Sequence, residues 1–232
     1  MHASLRPAFD YELDPNDAIV SVSDDWLAFA RENGASELDG DSVLGKSLWS
    51  FIPDDPTRKF YEDIFATVRA TDKAVVVPFR CDSPTLRRFM RLEIRHHAGC
   101  GIDLKSVLVR AEPCERRVLL DANAQPSNNC ITMCSCCKHI LFEPHGWLPL
   151  EEASSRPGLC LTGKRPQIRY EVCATCRAVA TRQRIAGINA KLEAERSTVT
   201  TENVLGWITL AKERAALAKS IEERTDKSRP EC

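Results

Sequence analysis

The sequence predicts an α+β protein with an antiparallel sheet and flanking helices, followed by a small zinc-binding module and C-terminal helices. One strand-like segment is followed by helical segments and then by three consecutive strand-like segments, an order that favours antiparallel pairing. Two Cys-x-x-Cys pairs follow, and such pairs are typical of metal sites. Beyond them, apolar residues recur at helical spacing.

The composition is that of an ordinary globular protein. The chain has 232 residues, of which 43% are hydrophobic and 28% charged, and its net charge of -1 directs it to no polyanion. The first 20 residues lack the apolar core of a signal peptide, and no apolar run of about 18 residues predicts a membrane span. Of the eleven cysteines, seven lie between residues 130 and 176. We therefore expect a cytoplasmic protein whose cysteines cluster around a metal.

The first third of the chain contains one strand and several helices. Residues 1–16 are rich in Pro and Asp, so we expect a loosely packed leader. Residues 18–22 alternate as a strand does. Asp24 or Asp25 then offers a cap for a helix that ends near residue 33. A longer helix begins at residues 54–57, where Pro occupies the first turn, and its apolar stripe comprises Phe60, Ile64, Phe65 and Val68.

The pattern then changes to strands. Residues 74–80, 88–95 and 102–109 are three strand candidates, separated by turns at Pro84 and at residues 99–101. In the second candidate, Met90, Leu92 and Ile94 share one face, as period-2 alternation requires. Three consecutive strands of this kind favour an antiparallel sheet.

This order of elements over residues 17–111 resembles a PAS domain. The similar stretches are residues 17–26 (DAIVSVSDDW), 43–52 (VLGKSLWSFI), the helix at 58–69, and 77–92. One departure is that the first helix follows the first strand almost directly, leaving little room for the usual second strand. The resemblance implies a cavity for a small ligand of unknown identity, or a filled core, formed by Trp26, Phe29, Trp49, Phe51, Phe65, Phe79 and Met90.

Cys134-x-x-Cys137 and Cys173-x-x-Cys176 predict a structural zinc site. Each pair aims two sulfur atoms at one point, and four thiolates complete the tetrahedral shell of zinc without leaving a position for water. Ordinary reduced thiols or a redox dithiol are the alternatives. Four further side chains lie near enough in sequence to replace a ligand: Cys130, Cys136, His139 and His145. We expect loss of Cys134 or Cys176 to unfold residues 130–177 and to leave the preceding domain folded.

Residues 130–177 also carry a second resemblance. The strings ITMCSCCK (131–138), GWLPLEE (146–152) and VCATC (172–176) are similar to a cysteine-rich segment that follows PAS or receiver domains in bacterial signalling proteins. Together the two resemblances imply a sensor domain at 17–121, a four-cysteine module at 122–177 and a helical tail at 178–232.

The helical tail contains two apolar stripes. Ile185, Ile188 and Leu192 form the first, and the second comprises Val204, Ile208, Ala211, Ala215 and Ala218. They form a coiled-coil seam between subunits or pack on their own chain. We therefore expect a homodimer or a signalling partner, and no membrane partner.

A non-enzymatic signal-transduction role is the function that these patterns favour. Residues 40–47 match the phosphate-loop pattern, but no buried strand precedes them and Pro53 interrupts the segment after them, so we expect a chance match. The first alternative is a nucleic-acid-binding zinc protein that uses Arg156, Lys164, Arg165 and Arg169, with Trp147 and Tyr170 nearby to stack on bases. The local charge is small for such a role. The second is a redox sensor whose oxidised thiolates release zinc.

Overall fold

Five antiparallel strands form the first sheet of the computed structural model, which describes residues 8–33, 35, 37–154 and 163–197. The strands are β1 (Ala8–Leu13), β2 (Ile19–Val22), β3 (Val75–Arg80), β4 (Leu86–His97) and β5 (Gly101–Pro113). Their order in the sheet is β2-β1-β5-β4-β3. The three predicted consecutive strands are confirmed, and Met90, Leu92 and Ile94 are all buried on the predicted face.

Helices on one side of this sheet bury its apolar face. They are α1 (Asp24–Glu32), α2 (Gly40–Val43), a 3₁₀ turn (Leu48–Phe51) and α3 (Asp55–Thr71). The side chain of Ser23, rather than Asp24 or Asp25, caps α1 by accepting from the backbone N–H of Trp26. The predicted stripe of α3 is buried throughout.

The leader prediction for residues 1–16 requires a correction, because β1 lies within that segment. Phe9, Tyr11 and Leu13 alternate along β1, which pairs with both β2 and β5. The strand predicted at residues 18–22 is therefore the second strand of the sheet, not the first. The strand that seemed to be missing from the PAS-like order is β1. Gly101 allows the close approach of β5 to β1, since a Cβ there would lie 2.6 Å from the Leu13 carbonyl oxygen.

A second, smaller sheet follows. It consists of β6 (Pro126–Cys134), β7 (Ile140–Phe142), β8 (Gly146–Leu148) and β9 (Arg165–Glu171), in the order β8-β7-β6-β9. Strands β6 and β9 are parallel, whereas the other pairs are antiparallel. Helix α4 (Leu150–Ser154) follows β8, and α5 (Ala174–Ser197) follows β9. The predicted fold class, an antiparallel sheet with flanking helices followed by a cysteine-containing module and a C-terminal helix, is confirmed.

The two sheets share one hydrophobic core. Cys134, Cys136, Val172, Cys173 and Ala180 are buried together with the apolar residues of α3 and the first sheet. A smaller core beneath the second sheet comprises Leu119, Met133, Ile140, Leu150 and Ala153. The expected boundary at residues 121/122 therefore does not separate two compact units. One compact unit includes both sheets and extends to Ile188.

Strand β3, at one edge of the first sheet, is covered by the cysteine-containing module. The side-chain amide of Gln183 in α5 accepts from the Val76 N–H (2.7 Å) and donates to the Val76 carbonyl (2.6 Å). Pro78 has no N–H to satisfy. The backbone N–H of Arg80 donates to the Cys136 carbonyl (2.7 Å). Three outward backbone groups of β3 are therefore hydrogen-bonded: the N–H and carbonyl of Val76 to α5, and the N–H of Arg80 to the first Cys pair.

Several predictions lie outside the described residues. They include the first part of the leader, Arg156, and the second apolar stripe of the tail with Val204, Ile208, Ala211, Ala215 and Ala218. Within α5, Ile185, Ile188 and Leu192 are 42–52% exposed. Over the described ranges, no helix combines the length and the apolar character that a membrane crossing requires.

Candidate metal centre

The first Cys pair is a tight turn between β6 and β7. Cys134 is the last residue of β6, and its carbonyl accepts from the Lys138 N–H (3.0 Å) while its N–H donates to the His139 carbonyl (2.7 Å). Lys138 has a φ of 62°, the left-handed conformation that closes such a turn. This backbone arrangement directs the Cys134 and Cys137 sulfur atoms to the same side.

The second Cys pair begins α5. Cys173 immediately precedes the helix and Cys176 lies in its first turn. The parallel register places Cys134 opposite Glu171, and the Ser135 N–H donates to the Glu171 carbonyl (2.8 Å). Because parallel strands end at the same edge of a sheet, both Cys pairs meet there.

The four sulfur atoms of Cys134, Cys137, Cys173 and Cys176 lie within 4.8 Å of one another. The Sγ atoms of Cys134 and Cys176 are 3.9 Å apart, and those of Cys137 and Cys173 are 3.7 Å apart. A tetrahedral ion with zinc–sulfur bonds of about 2.3 Å requires sulfur atoms about 3.8 Å apart. A disulfide would require about 2.0 Å. The four cysteines are therefore positioned to bind one metal ion, and their spacing is compatible with zinc.

The surroundings of the cluster favour negatively charged sulfur. The backbone N–H of Cys173 points to the Cys134 sulfur (3.4 Å), and α5 directs the positive end of its dipole at the cluster. When no ion is bound, hydrogen bonds with the thiols of Cys136, Cys137 and Cys176 hold the pKa of Cys134 below its ordinary value. Hydrogen bonding to Cys134 also raises the pKa values of Cys137 and Cys176. A bound cation removes this competition because it favours all four thiolates.

The four candidate substitute ligands occupy different places. Cys136 is buried and hydrogen-bonds to Cys134 and Cys176, and the contact with Cys134 raises its pKa to about 12. Cys130 is exposed on β6. His139 Nδ1 lies 3.4 Å from the Cys137 carbonyl oxygen, and the His145 ring stacks on Phe142. Cys136 is therefore the member of these four that hydrogen-bonds within the sulfur cluster.

A separate cavity of about 280 Å³ lies between the first sheet and its helices. Five of the seven predicted residues line it: Trp26, Phe29, Phe65, Phe79 and Met90. Trp49 instead packs against the core and donates its indole N–H to the Asp17 carboxylate (3.0 Å). Phe51 is 37% exposed, because the 3₁₀ turn directs it outward.

Sequence reasoning missed four polar side chains of this cavity, namely Tyr11, Tyr61, Cys81 and Ser106. Burial raises the pKa of both tyrosines above its ordinary value, and burial also raises the pKa of Cys81. The alternation of Phe9, Tyr11 and Leu13 was the available signal for the first of them. The cavity therefore combines an apolar wall with neutral hydrogen-bonding groups.

The phosphate-loop match at residues 40–47 lacks the required structure. Asp39 caps a single helical turn, Gly40–Val43, by accepting from the Ser42 N–H. Ser47 caps the following 3₁₀ turn through the Trp49 N–H. Neither a buried strand before this segment nor a long helix directly after it is present among the described residues.

Comparison with known proteins gives no family assignment. The sequence matches no protein-family model and no curated protein. Solved structures with partial similarity include a sensory box sensor histidine kinase from Vibrio cholerae, at 11% identity and a TM-score of 0.33, covering 44% of this chain and 81% of that one. A domain of an HTR-like protein from Haloarcula marismortui ATCC 43049 is 17% identical with a TM-score of 0.29, covering 45% of this chain and 99% of that one. At these TM-scores the similarities assign no function.

Proposed function

We propose that this chain is a non-enzymatic signal-transduction protein in which a PAS-like sensor domain is joined to a structural zinc site. In this proposal the first sheet and its helices sense a ligand or dock a partner, and the zinc site holds the start of α5 against that domain. Helix α5 then relays the change or dimerises. The chain acts in a reducing compartment such as the cytoplasm, where thiolates remain available to metal.

The observation that carries the proposal is the sulfur spacing of 3.7 Å and 3.9 Å on opposite edges of the cluster. Sulfur-only tetrahedral sites are typical of zinc or of iron, and a zinc site closed by four thiolates is structural. A closed shell leaves no position for a substrate or an activated water. This chemistry supports a structural rather than a catalytic role for the metal site.

The relay proposal is supported by contacts between β3 and the metal module. The cavity residue Phe79 precedes Arg80, whose N–H donates to the Cys136 carbonyl in the first Cys pair. On the same strand, the backbone of Val76 makes two hydrogen bonds with the side chain of Gln183 in α5. A ligand that displaces β3 therefore changes the energy of both the cluster and the helix.

Dimerisation through α5 remains a prediction and is supported by the exposure of Ile185, Ile188 and Leu192. These side chains recur at three and four residues, the spacing of a coiled-coil seam. The occupant of this face would be a second copy of the chain or a signalling partner.

The proposal can be tested by elemental analysis and native mass spectrometry of the full chain. We expect one zinc per chain, a defined subunit number, and any co-purified cavity ligand as an added mass. Cys173→Ser should lose the zinc, whereas Cys130→Ser, the same change at an exposed cysteine, should keep it. Iron in place of zinc, or zinc retained at full stoichiometry by Cys173→Ser, would contradict the structural zinc proposal.

A second candidate function, a thiol redox sensor, is favoured by the partial exposure of Cys137 and Cys176. Peroxide could oxidise these two thiolates to a disulfide, with release of zinc and reduction of the peroxide to water. Zinc release under mild peroxide tests it. Nucleic-acid binding has less support, because the side chain of Trp147 is partly buried against the larger core and is not free to stack on bases.

A further inference from the structure

A second cavity, of about 680 Å³, lies between β3 of the first sheet and β9 of the second. We refer to it as the inter-sheet trough. Phe79 and Cys81 line both the trough and the cavity beneath the first sheet. The trough otherwise has its own lining, which includes Ser135 and Lys138 of the first Cys turn. Its volume is within the range of sites for small molecules.

The trough carries an excess of positive charge. Its charged lining consists of Arg80, Lys138 and Arg165 against one carboxylate, Asp82, which gives +3 - 1 = +2. Arg80 and Asp82 form an ion pair with each other, and Arg80 also pairs with Glu151. Of the ion pairs within 4.0 Å among the described residues, none involves Lys138 or Arg165. Lys138 is therefore available to an anion, and Arg165 adds a positive charge that also acts on the nearby carboxylate of Asp121.

Lys138 is held in position for such an anion. Its backbone is fixed by the Cys134 carbonyl, and its Nζ donates to the Ser135 carbonyl oxygen (3.1 Å). The same ammonium group lies 5.5 Å from the centre of the Tyr170 ring. An ammonium group has three N–H donors, so two remain for a ligand. A charge fixed in this way binds an anion at a lower entropic cost than a free surface lysine.

Most of the remaining lining of the trough is apolar, although Ser135 and Gln167 also contribute to it. Leu119 is buried, and Ile168 and Tyr170 pack beside it against the smaller core. Phe79 lies on the opposite side, on β3. A ligand that fills this space would place an apolar or aromatic body among these side chains.

We propose that the inter-sheet trough binds a small organic anion, with a carboxylate, sulfonate or phosphate group at Lys138 and an apolar body against Leu119, Ile168 and Tyr170. Arg165 provides a second positive charge on the trough wall. This site is distinct from the sulfur cluster, and it shares only Phe79 and Cys81 with the cavity beneath the first sheet. Its occupant contacts β3 and the first Cys turn at once, so binding would favour the packing of the two sheets against each other.

The test uses 8-anilinonaphthalene-1-sulfonate, an aromatic anion whose fluorescence rises in apolar sites, titrated into the full chain loaded with zinc. We expect saturable binding of one probe at the trough, with amide NMR shifts at Lys138 and Tyr170. Lys138→Met should weaken binding roughly tenfold or more, because a hydrogen bond to a charged group is lost. Ile168→Trp should block binding by filling the trough while leaving Lys138 in place.

Two control variants separate binding in the trough from binding elsewhere on the protein. Lys105→Met removes an exposed lysine that pairs with Asp10, and it should leave the affinity unchanged. Ser106→Phe narrows the cavity beneath the first sheet and should also leave it unchanged. Equal affinity of Lys138→Met and wild type, or probe shifts confined to Tyr11 and Leu104, would overturn the proposal. Zinc content and near-UV circular dichroism, measured on every variant, show that each retains its fold.

Discussion

Removing one metal ligand should unfold the first sheet as well as the cysteine module. Cys173 and Cys134 lie in the same core as Ile64 and Phe65 of α3, so the cluster is not peripheral to the first sheet and its helices. Cys173→Ser leaves three thiolates and places a hydroxyl in a site where the cysteine is only 4% exposed. This outcome differs from the expectation, based on sequence, that the preceding domain would remain folded.

The magnitude follows from the size of the two free energies. Structural zinc sites contribute about 10–16 kcal/mol of apparent binding energy at neutral pH. If the loss of one of the four ligands removes half of that energy, it costs roughly 5–8 kcal/mol, against a total stability of about 5–15 kcal/mol for a typical domain. Cys173→Ser should therefore leave the compact unit largely unfolded or marginally stable.

Hydrogen exchange followed by mass spectrometry measures this effect element by element. We expect protection to fall together in β4, β5 and the second sheet of Cys173→Ser, and a chelator should reproduce the effect in wild type. Cys130→Ser, the same change at an exposed position of β6, should stay within about 0.5 kcal/mol of wild type. Full protection of β4 and β5, with loss confined to residues 126–188, would refute the shared-core argument.

Two further predictions concern the edge of the first sheet and the buried tyrosines. Gln183→Ala removes two hydrogen bonds to the backbone of Val76. It should lower the free energy of unfolding, measured by urea denaturation, by about 2 kcal/mol. Gln167→Ala, the same change at an exposed position of β9, should have little effect. Burial raises the pKa values of Tyr11 and Tyr61 above the ordinary 10.0. Their contribution to the free energy of unfolding is therefore constant below pH 10. Above pH 10 the unfolded chain loses both protons while the folded protein keeps them, so stability falls by about 2.7 kcal/mol per pH unit. In a Tyr170→Phe background, where Tyr11 and Tyr61 are the two remaining tyrosines, tyrosinate absorbance at 295 nm should rise only as the circular dichroism of the fold is lost. A rise at pH 10 in folded protein would contradict this.

The elements that sequence predicted well are those with strong local signals. Helix α3 has a Pro in its first turn and an apolar stripe, and β4 has strict alternation over Met90, Leu92 and Ile94. Strand β1 has equal alternation but lies in a segment rich in Pro and Asp. Its pairing partner β5 is about ninety residues away, so the alternation alone did not mark β1 as part of the sheet.

The site shows the same division between local and distant information. The Cys-x-x-Cys spacing predicts each turn, and the two turns converge because β6 and β9 end side by side. The core shared with α3, and the hydrogen bond from Arg80 to Cys136, depend on how the sheets pack and left no pattern in the sequence. The inter-sheet trough was missed for the same reason.

Packing of the second sheet against the first also depends on one ion-pair network. Glu151 in α4 lies 2.8 Å from Arg80 Nη2 on β3 and 3.0 Å from Arg87 Nε on β4. Burial tends to raise the pKa of Glu151, but the guanidinium of Arg80 outweighs it and the pKa is lowered. Glu151 is therefore ionised at neutral pH and joins the cysteine module to two strands of the first sheet.

Neutralising this carboxylate should loosen the module without touching the sulfur atoms. Glu151→Gln leaves Arg80, whose side chain is only 10% exposed, with a single carboxylate partner, Asp82. The cost should be about 2 kcal/mol, between the values for exposed and for buried ion pairs, and a double-mutant cycle with Arg80→Met should recover most of it as coupling energy. Because the backbone N–H of Arg80 donates to the Cys136 carbonyl, Glu151→Gln should speed zinc transfer to a chelator. Glu12→Gln, the same change at an exposed site on β1, should alter neither the free energy of unfolding nor the rate of zinc transfer. Additive effects in the double-mutant cycle, together with an unchanged transfer rate, would show that the network does not support the metal site.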